Sequence, residues 1–293
     1  MPANGLRLGD IQFINSWPVT YALAQGQVGA FSGTMVRGTP SQLNAQLANG
    51  TLDVSAISVL AYLQQVEELL LLPDLAIGSE SGVNSVLLVS RVPLRELAGQ
   101  TIAVTEAGAT TPVLLRILLE QAHGVSARYE VTPARFPEVL QQYPAALVIG
   151  DEALRALPPP AGWRAGVARD DYFAWDLGAL WRDWAKLPMV YAVWAVRRAV
   201  VEAAPELVGQ LHEALLASKQ WGLSHLDQVA QAAAAASGFP AAMVADYFRG
   251  IRYELDQPAR AGLRRYAECA QALGAVPADT VRALSAWDVV RTC

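Results

Sequence analysis

Strand and helix signals alternate through the first two-thirds of this 293-residue chain. That alternation restricts the fold more than any other feature. Short apolar runs end in polar corners, and each corner opens a helical segment, the pattern of an α/β architecture with mostly parallel strands. A strand over residues 8–14 leads through Asn15-Ser16 into a helix over 18–25, closed by Gly26. A strand over 33–37 leads into Thr39-Pro40, an N-cap followed by proline at the first helical position, then a helix over 41–49 with Gly50 as its C′ residue. A strand over 52–57 exits near Ser55 and Ser58 into a helix over 59–65. Apolar runs over 68–76 and 85–89 read as two further strands.

A second unit opens near Arg91-Val92-Pro93. It holds a short helical turn over 94–97, strands over 101–105, 129–131 and 146–149, and helices over 113–122 and 137–142. Pro158-Pro159-Pro160 marks a surface loop, and a strand over 189–196 returns the chain to the first unit. The last hundred residues are alanine-rich and helical, over 205–222, 225–236, 240–249, 258–273 and 278–290. The expected molecule has two α/β lobes joined by two crossover strands. Residues 1–89 and 191–293 form the first lobe and 90–190 the second, with a ligand cleft between them at the carboxyl ends of the strands.

Composition removes several function classes. The chain is 53% hydrophobic and 17% charged, which is globular, and no stretch approaches the roughly 20 apolar residues of a membrane span. Met1-Pro2-Ala3-Asn4-Gly5 carries neither a basic region nor an apolar signal core, and the cysteines number only two, Cys269 and Cys293. Both observations are read as a cytoplasmic protein. Net charge is −5, with Lys186 and Lys219 the only lysines, so no basic patch invites nucleic acid. His123, His212 and His225 stand apart, with no HExxH or CxxC spacing, so no metal and no cofactor is expected.

Four strand-exit corners carry small polar residues: Asn15-Ser16, Ser55 with Ser58, Ser85, and Thr110-Thr111. Thr110-Thr111-Pro112 reads as a hydroxyl N-cap with proline behind it, a helix start suited to a carboxylate or phosphate. Ordinary capping explains each corner taken singly; four together point to a shared cleft. Asp151 follows an apolar strand and is placed to orient a ligand hydroxyl, to accept a proton or to cap a helix. The aromatic segment around Trp175, Trp181 and Trp184 reads as packing, and Arg37 as a solvated side chain. Tyr247, Phe248, Tyr253 and Trp287 in the C-terminal helices either pack on the first lobe or form a homodimer surface.

Several segments together resemble the chorismate dehydratases of the futalosine route to menaquinone: 9–18 (GDIQFINSWP), 50–62 (GTLDVSAISVLAY), 72–78 (LPDLAIG), 85–93 (SVLLVSRVP), 147–154 (LVIGDEAL) and 176–198 (DLGALWRDWAKLPMVYAVWAVRR). The resemblance covers most of residues 8–200 and is weaker in the C-terminal helices. It implies the fold of type II periplasmic solute-binding proteins, and a small-molecule substrate, chorismate, that loses water to give 3-[(1-carboxyvinyl)oxy]benzoate. It further implies that Asn15 holds the departing hydroxyl or the enolpyruvyl group, and that Ser58, Ser85, Thr110 and Thr111 anchor carboxylates. Asp151 matches the family's Gly-Asp pair. Glu106 stands where relatives commonly carry serine, and is expected to point to solvent. Two other readings remain: the sister naphthoate synthase, whose Ser-Pro-Cys-Pro-Asn-Asp motif is absent here, and a non-catalytic sensor of a small carboxylate.

Overall fold

The computed structural model describes residues 5–29, 31–105, 108–156, 167–168 and 172–284. Glu106, the triple proline at 158–160, Trp287 and Cys293 lie outside the described residues. The strands are β1 (Leu6–Ile11), β2 (Gly33–Gly38), β3 (Val54–Ser58), β4 (Leu69–Ser79), β5 (Val86–Ser90), β6 (Thr101–Val104), β7 (Arg128–Val131), β8 (Ala145–Ile149), β9 (Val167–Ala168), β10 (Phe173–Asp176) and β11 (Met189–Arg197). The helices are α1 (Trp17–Ala24), α2 (Pro40–Ala48), α3 (Val59–Leu63), α4 (Thr110–Arg116), α5 (Gly150–Ala156), α6 (Leu177–Ala185), α7 (Arg198–Ala203), α8 (Pro205–Ser224), α9 (Leu226–Ser237), α10 (Ala241–Gly250), α11 (Gln257–Ala272) and α12 (Thr280–Ala283). Among these no helix is long and apolar enough to cross a membrane.

Two sheets hold the strands, ordered β2-β1-β3-β11-β4 and β7-β6-β8-β5-β10-β9. Within them β1 runs parallel to β2 and β3, and β6 runs parallel to β7 and β8. The pairs β3–β11, β4–β11, β5–β8, β5–β10 and β9–β10 are antiparallel. The mostly parallel arrangement expected from the sequence is therefore corrected to a mixed one. The cause is the double crossing: β4 leaves the first sheet for β5 in the second, and β11 returns, so the strands around each crossing point against their neighbours. The aromatic segment near Trp175 also differs from a simple helix. Phe173–Asp176 is a strand, and only then does α6 begin.

Local chemistry accounts for much of the frame. Thr39 caps α2 reciprocally: its hydroxyl accepts from Gln42 N at 3.3 Å, and Gln42 Oε1 accepts from Thr39 N at 3.0 Å. Gly50 takes φ +81 just past the C-cap Asn49, as expected of a C′ glycine. Asp176 ties the outgoing crossing to the start of α6. Its Oδ2 accepts from Val83 N at 2.9 Å and Asn84 N at 2.6 Å, and its Oδ1 from Gly178 N at 2.8 Å and Ala179 N at 3.1 Å. Burial pushes this carboxyl up to about 6, against the downward pull of the four N–H groups.

The C-terminal helices pack back on the first sheet's helices. A Cβ at Gly222 of α8 would come 2.1 Å from Pro18 O, so only glycine lets α8 lie this close to α1. Ser218 Oγ accepts from Leu23 N at 3.0 Å at the far end of α1. Trp181 is buried, donates from Nε1 to Pro188 O at 3.3 Å, and meets Trp184 edge-on and Tyr266 at a tilt. Tyr247, Phe248 and Tyr253 are likewise buried within the chain, so these three rings form no dimer surface.

Candidate active site

The carboxyl ends of β1, β3 and β8 meet the start of β5 around a cavity of about 110 Å³. Asn15, Ser58, Ser85, Thr110, Thr111, Tyr191 and Tyr247 supply its polar lining; Ile11, Phe13, Ile77, Val83, Val86 and Ile149 supply apolar walls. Five of the sequence-predicted residues thus come together from four separate corners. Gly150 makes the junction possible. It turns with φ +60 directly after β8, a conformation that favours glycine, and donates its N–H to Ser85 O at 2.7 Å.

Asn15 sits on the turn Ile14–Ser16 between β1 and α1, and its Oδ1 is buried with no hydrogen-bond partner. Thr111 Oγ1 is in the same condition. A buried polar atom without a partner costs about 1–3 kcal/mol. Both residues line the cavity.

The Thr110-Thr111 corner departs from the expected capping. The N-cap of α4 is Ala109, with no side-chain cap, and both threonines lie inside the first turn. Their hydroxyls are therefore free for other partners. Thr110 Oγ1 accepts from Leu60 N at 3.0 Å, and Thr110 O accepts from Tyr266 OH at 3.0 Å. These bonds join α4 to α3 and α11 across the cleft. Ser58 does cap α3, accepting from Ala61 N at 3.3 Å. Ser85 Oγ accepts from Tyr247 OH at 3.0 Å.

Counting protons shows what these groups offer. Ser58, Ser85 and Thr110 each accept one bond, and each still holds a hydroxyl proton with no acceptor among the described residues. Tyr191 OH lies 3.3 Å from Ser79 Oγ, whose single proton goes to Ser81 O at 2.7 Å, so Tyr191 is the donor of that pair. Burial, reinforced by the Asp176 charge, pushes the Tyr191 phenol well above its ordinary value; burial also raises Tyr247. Both stay protonated. Among the described residues, the lining holds no lysine, arginine, aspartate, glutamate or histidine. These groups are neutral donors in a low-dielectric setting, where hydrogen bonds to a charged partner are strengthened.

The structure does not bring Ser16, Ser55 or Asp151 to this cavity. Ser16 is buried beneath the corner, its hydroxyl donating to Phe13 O at 3.2 Å. Ser55 is buried between β1 and β3, donating to Ala56 O at 2.9 Å and occupying the space a Cβ at Gly9 would need. Asp151 lies in the first turn of α5 and faces a neighbouring open cleft of about 490 Å³, together with Thr39, Thr105, Thr132, Glu152 and Arg155. Burial raises its carboxyl, and the Arg155 charge opposes the rise. The two spaces share Phe13, Pro40 and Ile149 and so adjoin.

Sequence reasoning missed Tyr191 and Tyr247. Tyr191 sits in the expected return strand, where its only signal is one polar-tipped ring in an apolar run. Tyr247 sits in a C-terminal helix and gave no signal. His212 is buried far from the cavity lining, with Nε2 2.9 Å from Pro73 O, and His225 stacks on Trp221. Among the described residues no group of three or more His, Cys, Asp or Glu is arranged to hold a metal.

The comparisons with known proteins fit this geometry. The family described as menaquinone biosynthesis matches residues 6–272. A chorismate dehydratase from Thermus thermophilus is 34% identical over 240 residues, covering 80% of this chain and 85% of that protein. Among solved structures, a protein from Archaeoglobus fulgidus superposes with TM-score 0.73 at 19% identity, over 94% of this chain and 100% of its own. A Candida albicans gene product described as having the generic periplasmic binding protein fold superposes with TM-score 0.65 at 14% identity, over 97% and 95% of the two chains. At such identities these two likenesses speak for the fold alone, which is that of the periplasmic binding proteins. The match over residues 6–272 and the 34% identical relative go further: this chain belongs to the menaquinone biosynthesis family.

Proposed function

We propose that this protein is a chorismate dehydratase, a hydro-lyase that converts chorismate to 3-[(1-carboxyvinyl)oxy]benzoate and water in menaquinone biosynthesis. The observation that carries the reading is the likeness to the Thermus thermophilus enzyme over most of both chains. The cavity supports it chemically. Chorismate carries two carboxylates, a ring hydroxyl and an enolpyruvyl ether, and a lining of neutral donors suits such a molecule.

In the proposed reaction a ring C–H bond beside the ether oxygen breaks, its electron pair forms the new ring double bond, the neighbouring C–O bond breaks, and the departing hydroxyl takes up the proton that the base removed from the ring and leaves as water. Aromatisation drives the step, so the protein needs to orient the substrate and to balance developing charge. The substrate's own side-chain carboxylate is the proposed base, in keeping with a lining free of ionisable bases. Asn15 is the proposed partner of the departing hydroxyl: its NH2 group donates to the oxygen as charge develops there, and its unpaired Oδ1 accepts a hydrogen bond from the bound substrate. Ser58, Ser85 and Thr111 hold the carboxylates through their uncommitted protons. Thr110 contributes by fixing α4 against α3.

The same proposal includes the division into a first lobe of residues 1–89 and 191–293 and a second of 90–190. The two sheets support it in outline, except that β5 (Val86–Ser90) belongs to the second sheet although residues 86–89 fall in the first set, and β11 enters the first sheet two residues early, at Met189. It includes a cytoplasmic setting too, supported by Cys269, which is buried as a free thiol. The test is to mix purified protein with chorismate and follow loss of its ultraviolet absorbance. Turnover is expected. Binding without turnover at high protein concentration would replace the enzyme by a sensor of small carboxylates.

A further inference from the structure

The dehydratase reading leaves two polar groups of the cavity without a role, the phenols of Tyr191 and Tyr247; of these, Tyr247 bonds a residue that the reading places on the substrate, whereas Tyr191 bonds Ser79. Tyr247 lies on α10 and is 162 positions from Ser85 in sequence. Its ring is 6% exposed and lines the cavity. Its hydroxyl donates to Ser85 Oγ at 3.0 Å.

Ser85 is held at three points. Its carbonyl accepts from Gly150 N at 2.7 Å, the preceding peptide N–H of Asn84 is fixed on Asp176, and its side-chain oxygen is filled by Tyr247. One degree of freedom remains, the direction of the Ser85 hydroxyl proton. A serine hydroxyl has one proton and rotates to suit its partners. With Tyr247 donating to its oxygen, that proton cannot turn back to the phenol, and no other acceptor for it exists among the described residues. The bond also polarises the hydroxyl, making it a better donor to the next group in the chain.

We infer that Tyr247 is a positioning residue: it locks Ser85 as a hydrogen-bond donor to a substrate carboxylate, so that a C-terminal helix sets the affinity of the cleft. The inference rests on the dehydratase reading and deepens it. Tyr247 supplies no proton to the reaction. Its contribution is to have Ser85 oriented before substrate arrives, so it acts on binding more than on the chemical step.

The experiment is a double-mutant cycle with Tyr247→Phe, Ser85→Ala and the pair, read as KM and kcat for chorismate, with thermal unfolding of each variant. Tyr247→Phe keeps the ring and its packing. Its KM is expected to rise roughly fivefold to twentyfold, with a much smaller fall in kcat. In the Ser85→Ala background the same change is expected to add almost nothing to KM. A Tyr247→Phe enzyme with wild-type KM overturns the inference, and so does an equal rise in both backgrounds, which would make Tyr247 act independently of Ser85. A lowered unfolding temperature with KM unmoved assigns the bond a structural role and overturns it too. A wild-type protein that fails to turn over chorismate is a separate result; it overturns the dehydratase reading, and this inference with it.

Discussion

At the scale of single residues, the site is defined by atoms that lack something. Asn15 Oδ1 and Thr111 Oγ1 are buried and unpaired, while Ser58 and Ser85 hold protons with no acceptor. The account expects these to behave unlike structural polar groups. Asn15→Ala should lower kcat by about a hundredfold or more, the cost of losing a group that steadies charge in the transition state. Its unfolding temperature should stay close to wild type, because Oδ1 makes no bond in the free protein. An Asn15→Ala enzyme with wild-type turnover would remove Asn15 from the reaction. Thr111→Val is sharper still. It replaces an unsatisfied hydroxyl by a methyl of similar size, so stability should hold or rise slightly while KM for chorismate rises about tenfold. A clear drop in unfolding temperature with KM unchanged would return Thr111 to a structural role.

At the scale of elements, what the sequence revealed and what it hid divide along the range of the interactions. The start of α2 was legible because its cap is local: Thr39, Pro40 and Gln42 lie within one turn. The start of α4 was misread for the same reason. Thr-Thr-Pro has the local look of a cap, yet the N-cap is Ala109, both threonines lie inside the first turn, and Thr110 turns to Leu60 on another element. The corners at Asn15 and Ser58 were legible as strand exits, whereas Ser85, read as one too, stands at the entry of β5. Ser16 and Ser55 share that pattern but face inward, and nothing in their spacing shows which side of the backbone is filled. The strand Phe173–Asp176 was hidden by its short length and by the tryptophans around it.

Asp176 shows an element-scale role with a measurable cost. One carboxylate serves the N-terminus of α6 and the chain crossing at Val83-Asn84. Asp176→Asn keeps the shape but leaves one oxygen for two pairs of donors, and turns an NH2 group toward the other pair. At about pH 8, urea unfolding should show a loss of roughly 2–4 kcal/mol, the cost of two buried donors left unpaired. A change within experimental error would mean that other acceptors reach those N–H groups.

At the scale of the whole molecule, a solute-binding architecture is arranged around a cavity with neutral walls. Two sheets exchange strands through β4 and β11, and the strand ends they bring together carry the polar corners. The C-terminal helices complete this arrangement. The α8 helix presses on α1 through Gly222, α11 holds Thr110 through Tyr266, and α10 brings Tyr247 to Ser85. This participation was illegible in the sequence, because helical alanine-rich segments show periodicity and no partner. The two α/β lobes followed from alternation, and the solute-binding fold from the family resemblance; the antiparallel pairs at the crossings and the closure of the site depended on contacts between residues far apart in the chain.

The central claim is that chorismate loses water here and nothing else. The most direct measurement is the identity of the product formed by the purified protein, by mass and proton spectra, with a parallel assay for free pyruvate. The account predicts an aromatic product lighter than chorismate by one water, with the enolpyruvyl group retained and no pyruvate released. Release of pyruvate, or chorismate recovered intact after prolonged incubation with excess protein, would contradict it.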